Sequence, residues 1–316
     1  MRHIWIGLAA LATQAAAQAP DLAQQVEIRR TAYGVPHMKA DNLKAFGFAL
    51  GYVQLEDHGP RVAFGLFRGR GEMGRWFGRD SMESDFSAQR AYRIAIQRYP
   101  DLEQATRDVY EGFAEGVNRY IARHPNEFPP GFAPRFTGYD IAARDVSVAT
   151  ASDAQRFLAK VQARPRGATR AQSSESELEE GSNAWAFAPS RTKSGRAILV
   201  RNPHLAWTAG YYEAHVMIPG LLDFYGDFRI GGPFGVIGGF NKNLGWATTN
   251  NAPDLDEIYA LDVDTLRADH YLFEGTAVPL QRELVTVAYK NGDGLSTETR
   301  EFWWSPLGPV IHRDSG

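Results

Sequence analysis

The spacing of apolar positions changes character partway along the chain. Residues 25–31 (QVEIRRT) alternate Val26 and Ile28 with charged neighbours, the period of a half-buried strand, and Tyr33-Gly34-Val35-Pro36-His37 reads as a turn. Asn42 to Arg68 predicts a mostly helical stretch broken near Gly59-Pro60, because proline lacks an N–H and disfavours helix before it. After Pro100 the helical signal is clearer. Val109, Phe113, Val117, Tyr120 and Ile121 form one apolar stripe, Asp101 with Gln104 three residues on predicts its capped start, and His124-Pro125 its end. Beyond residue 181 the period shortens. Ala184 to Phe187, Ala197 to Val200, Tyr211 to Ile218, Val236-Ile237 and Leu284 to Tyr289 are short β-like runs separated by Gly, Pro and Asn.

Two segments fit neither pattern. Residues 164–181 (RPRGATRAQSSESELEEG) hold almost no large apolar side chains and read as an exposed linker. At the other end, the basic start Met1-Arg2-His3 leads into the apolar run Ile4 to Thr13, too short to span a bilayer, and then into Ala15-Ala16-Ala17. That order predicts a signal peptide over residues 1–17, cut after Ala17. No other segment is long and apolar enough to cross a membrane, so the mature chain is expected to be exported, periplasmic or secreted, with no membrane anchor after signal cleavage.

Composition narrows the chemistry. The chain has 316 residues and a formal charge of −3, which gives no reason to expect a nucleic-acid partner. It has no cysteine, which excludes thiol catalysis, disulfides and thiolate-held zinc. Gly69-Arg70-Gly71-Glu72-Met73-Gly74 matches G-x-G-x-x-G but lacks the preceding apolar strand of a dinucleotide site, so a flexible surface turn is expected. The histidines make no H-E-x-x-H, and no G-x-S-x-G elbow or P-loop occurs; no organic cofactor is expected. Asp254-Leu255-Asp256-Glu257 reads as a solvated acidic turn or a set of oxygen ligands for calcium, without the spacing of an EF-hand.

The most informative point is the junction of linker and first β-like run, Glu179-Glu180-Gly181-Ser182-Asn183-Ala184-Trp185. On local sequence it is an ordinary Gly-Ser-Asn turn. If the bond before Ser182 is cut, however, the serine gains an α-amine with an unperturbed pKa of about 7.7–8.0, and one residue then carries nucleophile and base together. Gly181 suits the other side of such a bond, since glycine tolerates unusual backbone geometry.

Ser182-Asn183-Ala184-Trp185, Ala188-Pro189-Ser190, Ser194-Gly195 and Asn202-Pro203-His204-Leu205 resemble the start of the β chain of the penicillin acylase family, which are N-terminal nucleophile hydrolases. Ile218-Pro219-Gly220, Gly238-Gly239-Phe240-Asn241, Leu244-Gly245-Trp246-Ala247 and Asp254 to Tyr259 follow in the family's order. Upstream, Val26 to Arg30, Tyr33 to His37, Gly51-Tyr52-Val53-Gln54, Arg68 to Gly71 and Gly116-Val117-Asn118 resemble the α chain.

The resemblance implies an α+β fold, the four-layer αββα sandwich, only partly covered by this chain. It divides the chain into signal peptide (1–17), α-chain segment (18–163), excised spacer (164–181) and the start of the β chain (182–316), giving an α/β heterodimer from one precursor. It implies cleavage between Gly181 and Ser182, attack of Ser182 on an N-acyl amide and an acyl-enzyme intermediate. His204 would orient the serine or amine, and the backbone N–H of Asn250 would serve the oxyanion. Leu205 and Gly238 fall at acyl-pocket positions that are often phenylalanine in phenylacetyl-specific enzymes, and smaller groups there predict room for a longer or differently shaped acyl chain. That points to acyl-homoserine lactones or acylated peptides ahead of a β-lactam side chain, with quorum quenching or antibiotic resistance as the context. Asp254, Asp256 and Glu257 match calcium-holding positions and predict one structural calcium ion. The family's side-chain oxyanion asparagine lies beyond the point matching Gly316, so the expectation is an acylase precursor seen in part, and its rival is a non-catalytic exported binding protein on the same scaffold.

Overall fold

The computed structural model describes residues 21–146, 181–205, 210–234, 237–249 and 258–312, together with residue 159. The signal-like segment, the spacer up to Glu180, Asn250 and the acidic group Asp254, Asp256 and Glu257 lie outside the described residues. Before the junction the elements are β1 (Val26–Arg30), β2 (Pro36–Ala40), α1 (Leu43–His58), α2 (Pro60–Arg70), α3 (Met73–Phe77), α4 (Glu83–Arg98), α5 (Gln104–Arg123) and α6 (Gly138–Ala142). After it come β3 (Ser182–Phe187), β4 (Ile198–Pro203), β5 (Tyr211–Ile218), β6 (Leu222–Arg229), β7 (Gly238–Phe240) and β8 (Gly245–Ala247). Then follow β9 (Asp262–Val263), β10 (His270–Phe273), β11 (Thr276–Pro279), β12 (Gln281–Asn291), β13 (Gly294–Ser305) and β14 (Gly308–Pro309). The fold class is α+β, helical first and sheet-rich second.

The largest sheet runs β1-β2-β5-β6-β7-β8. Its one parallel pairing joins the two halves of the chain: His37 opposes His215, Met38 opposes Val216 and Lys39 opposes Met217. Along β5, Tyr212, Ala214, Val216 and Ile218 point into the core, whereas Glu213 and Met217 point out. Strand β6 repeats the alternation with Phe224, Gly226 and Phe228 inward. The central glycine blunts that strand's sequence signal, which is why it escapes a reading of apolar runs.

Helix α1 lies between this sheet and α5. Asn42 caps it, accepting from the Ala45 N–H at 2.9 Å, and Gly59 with φ of 42° ends it before Pro60 opens α2. Covered on both sides, α1 buries residues around most of its circumference, among them Phe46, Phe48, Leu50, Val53 and Leu55. Helix α5 needs only one apolar stripe, and the expected Val109, Phe113, Val117, Tyr120 and Ile121 are all buried.

Glycines let the two helices approach so closely. A Cβ on Gly112 would stand 1.9 Å from the Lys44 carbonyl oxygen, and one on Gly116 2.1 Å from that of Phe48. The reciprocal positions on α1, Gly47 and Gly51, would each place a Cβ 2.3 Å from a carbonyl oxygen of α5.

A second, smaller core seats the β12–β13 hairpin on α4 through Met82, Phe86, Val285 and Val287. Arg79 reaches Glu298 at 2.9 Å and Arg300 reaches Glu83 at 2.7 Å along the same contact.

Three expectations are corrected. Asp101 does not cap α5: it closes a short turn, and Glu103 occupies the cap position without a side-chain bond. The turn expected at Tyr33 to His37 lies earlier, closed by the Gly34 N–H donating to the Thr31 carbonyl at 3.0 Å with Gly34 at φ 84°, and Pro36 already starts a strand. The Gly69–Gly74 segment is no flexible surface turn. Gly71 ends α2 in the left-handed region at φ 74° and is buried. The Met73 and Gly74 N–H groups donate to the Asp85 carboxylate at 2.9 and 2.7 Å, so an internal carboxylate takes the donors a phosphate would need.

Candidate active site

Ser182 is the first residue of β3. It stands opposite Pro203 in the β3–β4 hairpin, with Ala184 opposite Arg201 and Ala186 opposite Leu199. Directly opposed residues of an antiparallel pair project from the same face, so Ser182, Ala184, Arg201 and Leu199 share one face. Leu199 and Arg201 are half-buried while Ile198 and Val200 are exposed, which identifies that face as the one turned towards the large sheet. The other face carries Trp185, Phe187, Ile198 and Val200, all substantially exposed.

The carbonyl preceding Ser182 is held from the other strand. The His204 main-chain N–H donates to the Gly181 oxygen at 3.1 Å. His204 and Leu205 follow β4 as exposed residues, so the structure brings the His204 backbone, Gly181 and Ser182 together at one end of the hairpin.

Gly238 begins β7 and is buried. A Cβ there would meet Arg201 Nη1 at 2.5 Å and the Trp246 carbonyl oxygen at 2.9 Å. At this position a guanidinium reaching over from β4 stands against the glycine. The same guanidinium is ion-paired with Asp227 of β6. Beside it, Leu199 packs close to Gly245 of β8, where a Cβ would be 3.1 Å from Leu199 Cδ2.

Several residues that join the halves of the chain were given no role from the sequence. Gln54 is fully buried: its Nε2 donates to the Arg229 and Gly232 carbonyls at 3.2 and 3.3 Å, and its Oε1 accepts from the Gly231 N–H at 2.7 Å. Tyr212 donates to the Val53 carbonyl at 3.2 Å and to Asp57, and burial together with the Asp57 contact raises its phenol well above the usual range. On the outward face of the sheet, His37 and His215 meet Nδ1 to Nδ1 at 2.9 Å, and His215 Nε2 lies 2.8 Å from Asp223. Tyr225 donates to Glu213 at 2.6 Å and is pushed up to about 12 by burial and by that carboxylate. The signal available for Arg201 and Asp227 was charge at a strand position directly beside apolar neighbours.

Among the described residues no group of three or more His, Asp or Glu side chains is placed to hold a metal. Among them, too, no helix is long and apolar enough to cross a membrane.

These features define a mixed α+β scaffold in which a Gly-Ser junction opens a strand and both flanking segments share one sheet. Residues 25–316 match the penicillin amidase family, and the chain belongs to that family. It is 30% identical to the acyl-homoserine lactone acylase PvdQ of Pseudomonas fluorescens strain Pf0-1, over 95% of this chain and 43% of the relative. It is 25% identical to the aculeacin-A acylase of Actinoplanes utahensis, over 96% of this chain and again 43% of the relative. The chain thus spans about two fifths of the length of these relatives. A looser likeness, TM-score 0.33 and 22% identity, links 47% of this chain to 95% of a chain of thermostable penicillin G acylase from Alcaligenes faecalis.

Proposed function

We propose that this chain is the front part of an exported acylase precursor that cuts itself before Ser182 and then hydrolyses an N-acyl amide. The observation that carries the proposal is the family match running unbroken across a Gly181–Ser182 junction at the head of a paired strand. In self-cleavage Ser182 Oγ attacks the Gly181 carbonyl carbon. The C–N bond breaks, the nitrogen leaves as the Ser182 α-amine, and water hydrolyses the resulting ester. The His204 N–H, 3.1 Å from the Gly181 oxygen, sits where it would stabilise the charge developing on that oxygen.

In the matured enzyme the free α-amine takes the proton from Ser182 Oγ as it attacks the substrate carbonyl. The amine product leaves, and water releases the carboxylic acid from the acyl-enzyme. The Asn250 N–H belongs to this proposal as an oxyanion donor, and Asp254, Asp256 and Glu257 as oxygen ligands of one calcium ion. A cut before Ser182 would leave two chains sharing one sheet through β2 and β5, which supports the α/β heterodimer. Acyl-homoserine lactones and acylated peptides are the proposed substrates; relatives over nearly the whole chain are named for acyl-homoserine lactones and for aculeacin-A.

Intact mass and N-terminal sequencing of the full-length precursor, beside Ser182→Ala, test this. The expected result is a fragment starting Ser-Asn-Ala-Trp in the wild type only, with hydrolysis of N-acyl amides following its appearance. A single uncut chain that binds acyl amides without turnover would overturn it.

A further inference from the structure

We infer that the Arg201–Asp227 ion pair is the clasp that seats the Ser182 strand on the large sheet, which makes Arg201 a positioning residue for the nucleophile; this rests on Ser182 being that nucleophile. Among the described residues little else holds the hairpin there. Apart from Arg201, its inward face offers Leu199 against Gly245, whereas Ala184 and Ala186 on that face are exposed. Its outward face is exposed. Across the hairpin Arg201 stands opposite Ala184, the second residue after Ser182, so a shift of Arg201 is transmitted through the ladder to Ser182 and to the Gly181 carbonyl.

The receiving surface is shaped for the guanidinium. Asp227 points outward from β6 between inward-facing Gly226 and Phe228 and supplies the carboxylate. Gly238 on β7 supplies the absence of a side chain, since even a Cβ would stand 2.9 Å from Arg201 Cζ. Both partners are mostly buried, at 24% and 16% side-chain exposure, so removing one strands the other in a poorly solvated position. Glycine at 238 thereby admits the cation.

The test uses the full-length precursor with Arg201→Ala, Asp227→Asn and the double variant Arg201→Ala/Asp227→Ala. Hydrogen exchange is measured first in a Ser182→Ala background, so that it does not depend on cleavage. The expected result is faster exchange, by about tenfold, in the amides of β3 and β4, with those of α1 unchanged. In the Ser182 background, appearance of the Ser182-initiated fragment should slow by about tenfold or more, and the enzyme that does mature should lose kcat more than KM. The double variant should be no worse than Arg201→Ala, because a shared contact is lost only once.

Exchange and cleavage like the wild type would overturn the clasp. So would an equal rise of exchange in α1, which would make the pair a general stabiliser. The isosteric Asp227→Asn keeps the test alive if Arg201→Ala does not fold. A wild type that never cuts itself defeats the functional reading and leaves the exchange comparison to decide the clasp.

Discussion

Helix α1 and the β3–β4 hairpin both lie against the same sheet, yet they are held by opposite means. Helix α1 is enclosed: β2 and β5 cover one side, α5 the other, and four glycines let backbone meet backbone. Among the described residues the hairpin meets the sheet through the Arg201–Asp227 ion pair and Leu199, with its aromatic face outward. Under the proposed self-cleavage, the scaffold would have to survive a backbone cut and would gain from the first arrangement. The strand whose first residue would exchange a peptide bond for a free amine would gain from the second, because adjusting it disturbs few contacts.

The sharpest way to break this contrast is to enlarge a glycine in the α1–α5 contact. Gly112→Val would drive side-chain atoms into the Lys44 carbonyl, and with backbone on both sides nothing can yield cheaply. We expect a loss of about 3 kcal/mol or more, read as a large fall in denaturant midpoint or as insoluble protein. Gly195→Ala, beside the hairpin in open space but at φ 66°, should cost far less.

Next comes Gln54→Leu, which removes one acceptor and two donor contacts from the turn after β6 while keeping an apolar volume. Stranding those buried main-chain groups should cost about 2–3 kcal/mol, measured by chemical denaturation. Ser182→Ala is predicted to do the reverse: abolish the Ser182-initiated fragment while leaving the thermal midpoint within about 1 °C, since a half-exposed hydroxyl at a strand end contributes little. A large stability loss there would contradict the view of the hairpin as lightly held.

The smallest effect concerns the β12–β13 hairpin. The Arg300 bond holds Glu83 below its ordinary value of 4.5, and the Arg79 and Arg300 bonds do the same for Glu298. A carboxyl lowered in the folded state contributes stability that is complete above its unfolded value and is lost as pH falls through the lower, folded value. Exchange in β12 and β13 should therefore rise as pH drops below about 4.5, and high salt at neutral pH should reproduce part of that loosening. Exchange in α1 should respond to neither.

Much of this was legible along the chain. The α5 stripe, the break at Gly59-Pro60 and strand β5 follow from local rules, because periodicity and proline chemistry act over a few residues. The Asp101 cap failed because the turn at Pro100 carries the chain two residues further before α5 begins. The surroundings of Gly238 were not legible for a different reason. Empty space beside a glycine depends on what arrives from elsewhere, and the arriving group comes from another strand.

Residue types and their order were enough to establish an α+β chain of the penicillin amidase family with a Gly181–Ser182 junction between its two halves. Those are properties of local pattern and motif order, which the linear chain carries directly. Only the tertiary structure decided that β2 pairs with β5 across the junction, that Gln54 stitches α1 to the turn after β6, and that Arg201 occupies the space over Gly238. Each of these joins residues far apart in the chain, and such contacts depend on how packed elements converge, which no short window of sequence contains.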